Sequence, residues 1–229
     1  MKLAIMQPYF FPYLGYFQLI DAVDAFVVYD DVSFIKGGWI NRNFIVAQGE
    51  KSRITLQLQG ASPNLPINQI SIGGNRAKLL KSIGQSYAKA PQYAEVMPLL
   101  EEILSSDERN LAVFLAFSLR RICDYLQLRP HWYLSSELRK DNALRGQDKV
   151  LAICRELGAT HYINVPGGRD LYDHASFESA GMRLLFLAPK TVEYSQTGTG
   201  FVPNLSIVDV MMFNSLERCR SLLKEYTLA

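Results

Sequence analysis

Asp30 and Asp31 adjoin, and Lys36, Trp39, Asn41, Arg42 and Asn43 follow in close succession. A carboxylate pair can bind Mg2+ together with substrate phosphates, or one member can act as a general base. The planar fork of Arg42 meets a carboxylate or phosphate with two hydrogen bonds, and Lys36 adds a point charge. Trp39 offers a flat face to a base or sugar ring. Asn41 and Asn43 carry both donors and acceptors, which suits orienting a substrate. The bland alternative for Asp-Asp is a turn cap at a strand end, the commoner use of such a pair. Asp30, Asp31, Lys36 and Arg42 are the candidate catalytic residues; Trp39, Asn41 and Asn43 are candidate substrate contacts.

A second concentration lies at residues 5–20, where aromatics crowd around Pro8, Pro12 and Gly15. Gln7, Tyr9, Tyr13, Gly15 and Tyr16 are the candidate binding residues there, against the simpler reading that the aromatics pack a sheet edge. A third is Pro166-Gly167-Gly168-Arg169-Asp170, with Asn164 just before it. Opening a helix, that run would aim free N–H groups and a positive helix end at an anion. A plain turn with a cap is the alternative.

These residues need elements to position them. Residues 2–6 read as a short buried strand, 13–23 carry apolar residues at helical spacing, and 25–29 are a second buried strand. Strand, crossover helix, strand makes the two strands parallel and the connection right-handed. Residues 44–47 and 53–58 form the arms of a hairpin around 48–51, and 68–72 make one more short strand. Residues 75–128 are a helical insertion or cap of three helices, with Pro91 in the first turn of the second and Ser106-Asp107 capping the third. Alternation then resumes: strand 131–134, helix 148–157, strand 160–165, helix 171–180 and strand 182–187. Ser206-Ile207-Val208-Asp209 has the capping-box pattern and opens a last helix running to about 226. About five strands alternating with helices predict a doubly wound, mainly parallel α/β sheet in one domain spanning 1–229. In such sheets ligands bind beyond the carboxyl ends of the strands, where all three concentrations fall.

The totals narrow the class. A net charge of +2 gives no general reason to expect nucleic acid as a partner. No apolar run reaches the length of a membrane span, and no signal peptide is evident. Three scattered cysteines, Cys123, Cys154 and Cys219, read as reduced core thiols of a cytoplasmic protein. The histidines, His131, His161 and His174, have no zinc-like spacing, so no metal site is expected from them. Walker, Gly-x-Gly-x-x-Gly and Gly-x-Ser-x-Gly patterns are missing.

Tyr13-Leu14-Gly15-Tyr16 stands where α/β nucleotidyltransferases carry His-x-Gly-His, and is similar to it in the glycine and the helix that follows. Both imidazoles are tyrosines, neutral near pH 7, so charge for a phosphoryl group would come from Lys36, Arg42 or Arg169. That resemblance implies a nucleotidyltransferase-like (HUP-like) sheet and a nucleotide-type pocket.

Four segments together resemble the WbqC-like family: residues 6–20, Trp39-Ile40-Asn41-Arg42-Asn43, Tyr162-Ile163-Asn164 with Gly167-Gly168 and Leu171-Tyr172, and residues 201–209. They run from end to end of the chain. The family is met in gene clusters for O-antigen and other surface polysaccharides. The resemblance implies a cytoplasmic role in making or modifying a nucleotide-linked sugar, and supplies no catalytic residues. The leading expectation is a transferase acting on a nucleotide-activated or amino sugar, with a small-molecule substrate, a nucleotide or nucleotide-sugar as cofactor, and Mg2+ where phosphates need it. The alternative is a non-catalytic nucleotide- or sugar-binding or scaffold protein on the same fold. The oligomeric state is not legible.

Overall fold

The computed structural model describes every residue of the chain except 197 and 199. Strand β1 (Lys2–Met6) leads through a loop to helix α1 (Leu14–Asp21) and strand β2 (Ala25–Val28). A hairpin of β3 (Arg42–Ala47) and β4 (Glu50–Thr55) follows, then the two-residue strands β5 (Leu58–Gln59) and β6 (Ser71–Ile72). Helices α2 (Arg76–Tyr87), α3 (Tyr93–Leu104) and α4 (Leu111–Tyr125) precede β7 (His131–Leu134). The rest is α5 (Gly146–Glu156), β8 (His161–Asn164), α6 (His174–Ser179), β9 (Arg183–Pro189), α7 (Ile207–Phe213), α8 (Leu216–Leu222) and β10 (Tyr226–Leu228).

Six strands form the central sheet in the order β10-β9-β8-β1-β2-β7, parallel throughout except that β10 runs against β9. The chain winds outward from β1 in one direction through β2 and β7, then crosses to β8 and winds the other way. That reversal makes the sheet doubly wound and puts helices on both faces. Side-chain alternation shows the two faces directly. Ala4, Phe26 and Val28 pack with α1, the helices of 76–125 and α7. Leu3, Ile5, Ala25 and Val27 pack with α5 and Phe177 of α6. Strands buried on both faces read as continuous apolar runs, which is why β1 and β2 are plain in the sequence.

Several boundaries differ from the sequence reading. The sheet has six strands, the sixth being the three residues at 226–228 that pair with β9 where a helix end was expected. The expected last helix breaks into α7 and α8: Asn214 is extended, and the Ser215 hydroxyl accepts from Arg218 N to start a new helix. The hairpin turn is Gln48-Gly49 alone, both with positive φ (55° and 81°), so the arms pair from Arg42↔Thr55 to Ala47↔Glu50. Two successive left-handed residues match the twist of the arms better than a four-residue loop. Asn110, not Ser106-Asp107, caps α4, accepting from Ala112 N and Val113 N. Pro91 precedes α3, whose first helical residue is Tyr93. Of the stretch 68–72 only Ser71–Ile72 forms a strand, β6; the 3-10 turn Ile67–Gln69 takes the start and Ile70 is extended. Pro166–Leu171 is also a 3-10 turn, and the α-helix starts only at His174, behind the Asp173 cap.

Candidate functional site

The loop leaving β1 is held from several directions. Phe11 has a left-handed φ of 44°, costly for a bulky residue, so neighbours must over-determine it. Phe10 N donates to Trp39 O, Asn43 Nδ2 donates to the carbonyls of Phe10 and Phe11, and Ser206 Oγ donates to Phe11 O at 2.7 Å. Ile207 N donates to Pro12 O, and the Tyr16 hydroxyl donates to Gln7 O at 2.9 Å. Segments far apart in sequence thus converge on one loop.

Three clefts around this loop take in part of the expected set. The largest, about 690 Å³, lies beyond the carboxyl ends of β1, β2 and β7 and includes Gln7, Tyr29, Asp31, Asn68, Ser136, Arg145 and Lys149. That volume and position suit a small polar ligand. At its floor Asp31 Oδ2 meets Lys140 Nζ at 3.0 Å and Lys149 Nζ at 3.1 Å, and both lysine side chains are almost wholly buried. Lys149 also donates to the Asp31 carbonyl and stands over the Tyr29 ring. Burial would raise the Asp31 pKa, but Ser135, Lys140 and Lys149 outweigh it and hold the carboxyl below its ordinary value. The Ser135 hydroxyl and Asp31 Oδ1 nonetheless complete no hydrogen bond of standard geometry with described residues, so the lysines are the firmer cause. Arg145, exposed at the rim, donates to the carbonyls of Asn142 and Leu144.

An aromatic cleft of about 430 Å³ is lined by Tyr9, Tyr13, Trp39, Asn43, Lys51 and Asn204. A narrower one, about 250 Å³, runs between Tyr13, Gly15, Gln18 and residues 189–192, Tyr194, Phe201 and 203–205. Tyr13 and Asn204 are shared by both. Gly15 lets Tyr13 fold back, since a Cβ there would sit 2.4 Å from Tyr13 Cε2 and 2.8 Å from Pro189 Cγ.

The other expected residues lie elsewhere. Asp30, 2% exposed, accepts from Ser136 N and Oγ and from Asn68 Nδ2, so it caps the turn after β7. Asp30 and Asp31 therefore have separate partners. Arg42 donates to the carbonyls of Gly37 and Gly38, pinning its own loop, and Lys36 is exposed outside the three clefts. Asn41 exchanges hydrogen bonds with the backbone of Leu56. Tyr16 is fully buried. Asn164 bonds Tyr162 and Val165, Gly168 packs on the Asn164 amide, Gly167 is exposed, and Arg169 lies over Phe186. This group sits beyond β8 and lines none of the three clefts.

Sequence reasoning missed Asn68, Lys140, Arg145 and Lys149. One signal was present: Lys149 falls on the buried stripe of α5 beside Val150 and Ile153, where a charge needs a partner. It also missed Asp209. Read as a capping-box acid, it instead accepts from Tyr87 Oη, Tyr194 Oη and Gln196 Nε2 behind the narrow cleft.

The strand order, the two helical layers and clefts at the carboxyl edge define a doubly wound α/β protein with room for a small polar ligand. Within that class, residues 7–221 match the WbqC-like protein family, and the chain belongs to it. A protein of Mycobacterium tuberculosis, "Uncharacterized protein Rv1507c", is 29% identical over 218 residues, covering 93% of each chain. No solved structure matches at a significant level. Among the described residues no helix is long and apolar enough to cross a membrane.

Proposed function

We propose that the protein is a transferase acting on a nucleotide-activated or amino sugar during surface polysaccharide synthesis in the cytoplasm, with the cleft over β1, β2 and β7 as its substrate site. The observation that carries this reading is the composition of that cleft. Amide side chains from Gln7, Asn64, Asn68 and Gln69 can meet sugar hydroxyls, and Arg145 stands at the rim with no carboxylate partner among the described residues; its Nη1 is held by the carbonyls of Asn142 and Leu144, which leaves Nε and Nη2 for a phosphate. Asp31 is a weak base at neutral pH because its pKa is held down, so its part is to fix Lys149 at the floor rather than to take a proton.

Calorimetric titration with nucleotide-sugars and free nucleotides tests this. At least one nucleotide-sugar should bind, and Arg145→Ala should weaken it about tenfold or more, one lost charge-assisted hydrogen bond or two, with the melting temperature unchanged. If none binds, the proposal is lost. One observation favours a non-catalytic sugar- or nucleotide-binding role instead: Tyr16, standing where the second histidine of a nucleotidyltransferase would be, is in the core and cannot touch a phosphate. Binding without turnover of any bound nucleotide-sugar, with amino-sugar acceptors supplied, would select that reading.

A further inference from the structure

The aromatic cleft carries polar groups with no partner. Asn43 is saturated: its Nδ2 serves Phe10 and Phe11, and its Oδ1 accepts from Phe44 N. Among the described residues, no hydrogen bond is made by the hydroxyls of Tyr9 and Tyr13, the side-chain amide of Asn204 or the ammonium of Lys51, and all four residues line the same space. Trp39 is 45% exposed, large for an indole. Phe44 packs against it at a steep angle, ring centres 6.0 Å apart, and the Trp39 carbonyl accepts from Phe10 N, which holds its backbone. Two phenols, one amide and one exposed indole line a recess of about 430 Å³.

We propose that this cleft is a pyranose-binding subsite, with the C–H face of a sugar ring lying on Trp39 and its hydroxyls meeting Tyr9, Tyr13 and Asn204. The face of a pyranose is apolar while its edge carries hydroxyls that both donate and accept. Phenol hydroxyls and a primary amide also do both. Burial pushes the pKa of Tyr9 and of Tyr13 up, so both stay protonated donors. A nucleotide fits less well, since its phosphates would find one cation, Lys51, which already stands 4.6 Å from the centre of the Phe44 ring. That single positive charge tilts the cleft toward neutral or acidic sugars and against amino sugars. The subsite does not depend on the nucleotide-sugar reading of the larger cleft; either can fail alone.

Saturation-transfer NMR on the full chain tests it, with the methyl glycosides of glucose, galactose, N-acetylglucosamine, glucosamine and glucuronic acid, and with adenosine and uridine as flat-ring controls. At least one glycoside should bind. Trp39→Ala should weaken it about tenfold, and Trp39→Phe should recover most of that loss. Tyr13→Phe, which keeps the ring and drops the hydroxyl, supplies a second reading should Trp39→Ala unfold; about a threefold to tenfold loss is expected. Binding of no glycoside, binding that survives both substitutions, or binding of the nucleosides in preference overturns the proposal.

Discussion

The Tyr87 hydroxyl, on α2, donates a 2.7 Å hydrogen bond to Oδ1 of Asp209, on α7. Tyr194 and Gln196 donate to the other oxygen at 2.8 and 2.7 Å, and Asp209 is 0% exposed. Three neutral donors thus hold a buried carboxylate that has no ion-pair partner among the described residues. The Tyr87 hydroxyl also accepts from Val46 N in β3, so one phenol ties the helical insertion, the hairpin and α7 together. Tyr87→Phe leaves a buried carboxylate oxygen and a buried N–H unsatisfied. The expected loss is about 2–4 kcal/mol, one unsatisfied group being worth about 1–3 kcal/mol. Urea unfolding should show a lower midpoint at unchanged slope. A midpoint equal to that of the unsubstituted chain would show that this tie carries no load.

Asp209 and Asp31 respond to acid in opposite senses. Burial raises the Asp209 pKa against the pull of Tyr87, Tyr194 and Gln196. The folded protein therefore holds that proton more tightly than the unfolded chain. Its stabilising contribution is fully present below the unfolded value, about 3.9, and is lost as pH rises through the folded value. Asp31, with its pKa lowered, stabilises above the unfolded value and loses that as pH falls through its folded one. Asp209→Asn removes the first effect alone. The stability advantage of the unsubstituted chain over this variant should grow as pH falls from about 7 to about 4. A gap that stays constant across that range contradicts the raised pKa.

Residues whose environment is local or periodic were legible in the sequence, and those fixed by long-range pairing were not. The apolar runs of β1 and β2 announce a sheet buried on both faces. Ile54 and Leu56 mark the inner side of the hairpin's second arm. Strand β10 carries too few residues for a pattern and exists because β9 offers it a free edge. Asp209 fits a capping box locally, but the buried tyrosines compete for its carboxylate and win. Of the residues expected at a site, Gln7, Tyr9, Tyr13, Gly15, Asp31, Trp39 and Asn43 line clefts. Asp30, Asn41 and Arg42 had the right chemistry, yet Asp30 is taken by Ser136 and Asn68, Asn41 by Leu56, and Arg42 by the carbonyls of its own loop. Spacing alone does not reveal whether a donor is already taken.

The Asp31 cluster has two lysines for one carboxylate, and that imbalance predicts unequal costs. Asp31→Asn leaves the Lys140 and Lys149 ammoniums buried beside each other without an anion, a loss of about 3–5 kcal/mol. Lys149→Met keeps a balanced Asp31–Lys140 pair and replaces a desolvated charge with an apolar chain of similar length. It should cost less than about 1.5 kcal/mol. Chemical denaturation of the two variants side by side measures the difference. Equal losses would mean that the lysines are not competing for one carboxylate.

Gly15 separates packing from binding. Its added Cβ would press on Tyr13 Cε2 and Pro189 Cγ, so Gly15→Ala must push the Tyr13 ring away. Overpacking costs about 1–3 kcal/mol, but Gly15 lies in α1, where alanine regains about 1 kcal/mol of helix propensity. The net effect on stability is therefore small, within about 2 kcal/mol. The Tyr13 ring has no such compensation. It walls both the aromatic and the narrow cleft, and its displacement moves the hydroxyl that a pyranose would meet. Glycoside affinity should fall several-fold, on the order of one lost hydrogen bond, while thermal unfolding shifts by a few degrees. A variant that binds methyl glycosides as well as the unsubstituted chain would place Tyr13 outside the binding surface, whatever its stability.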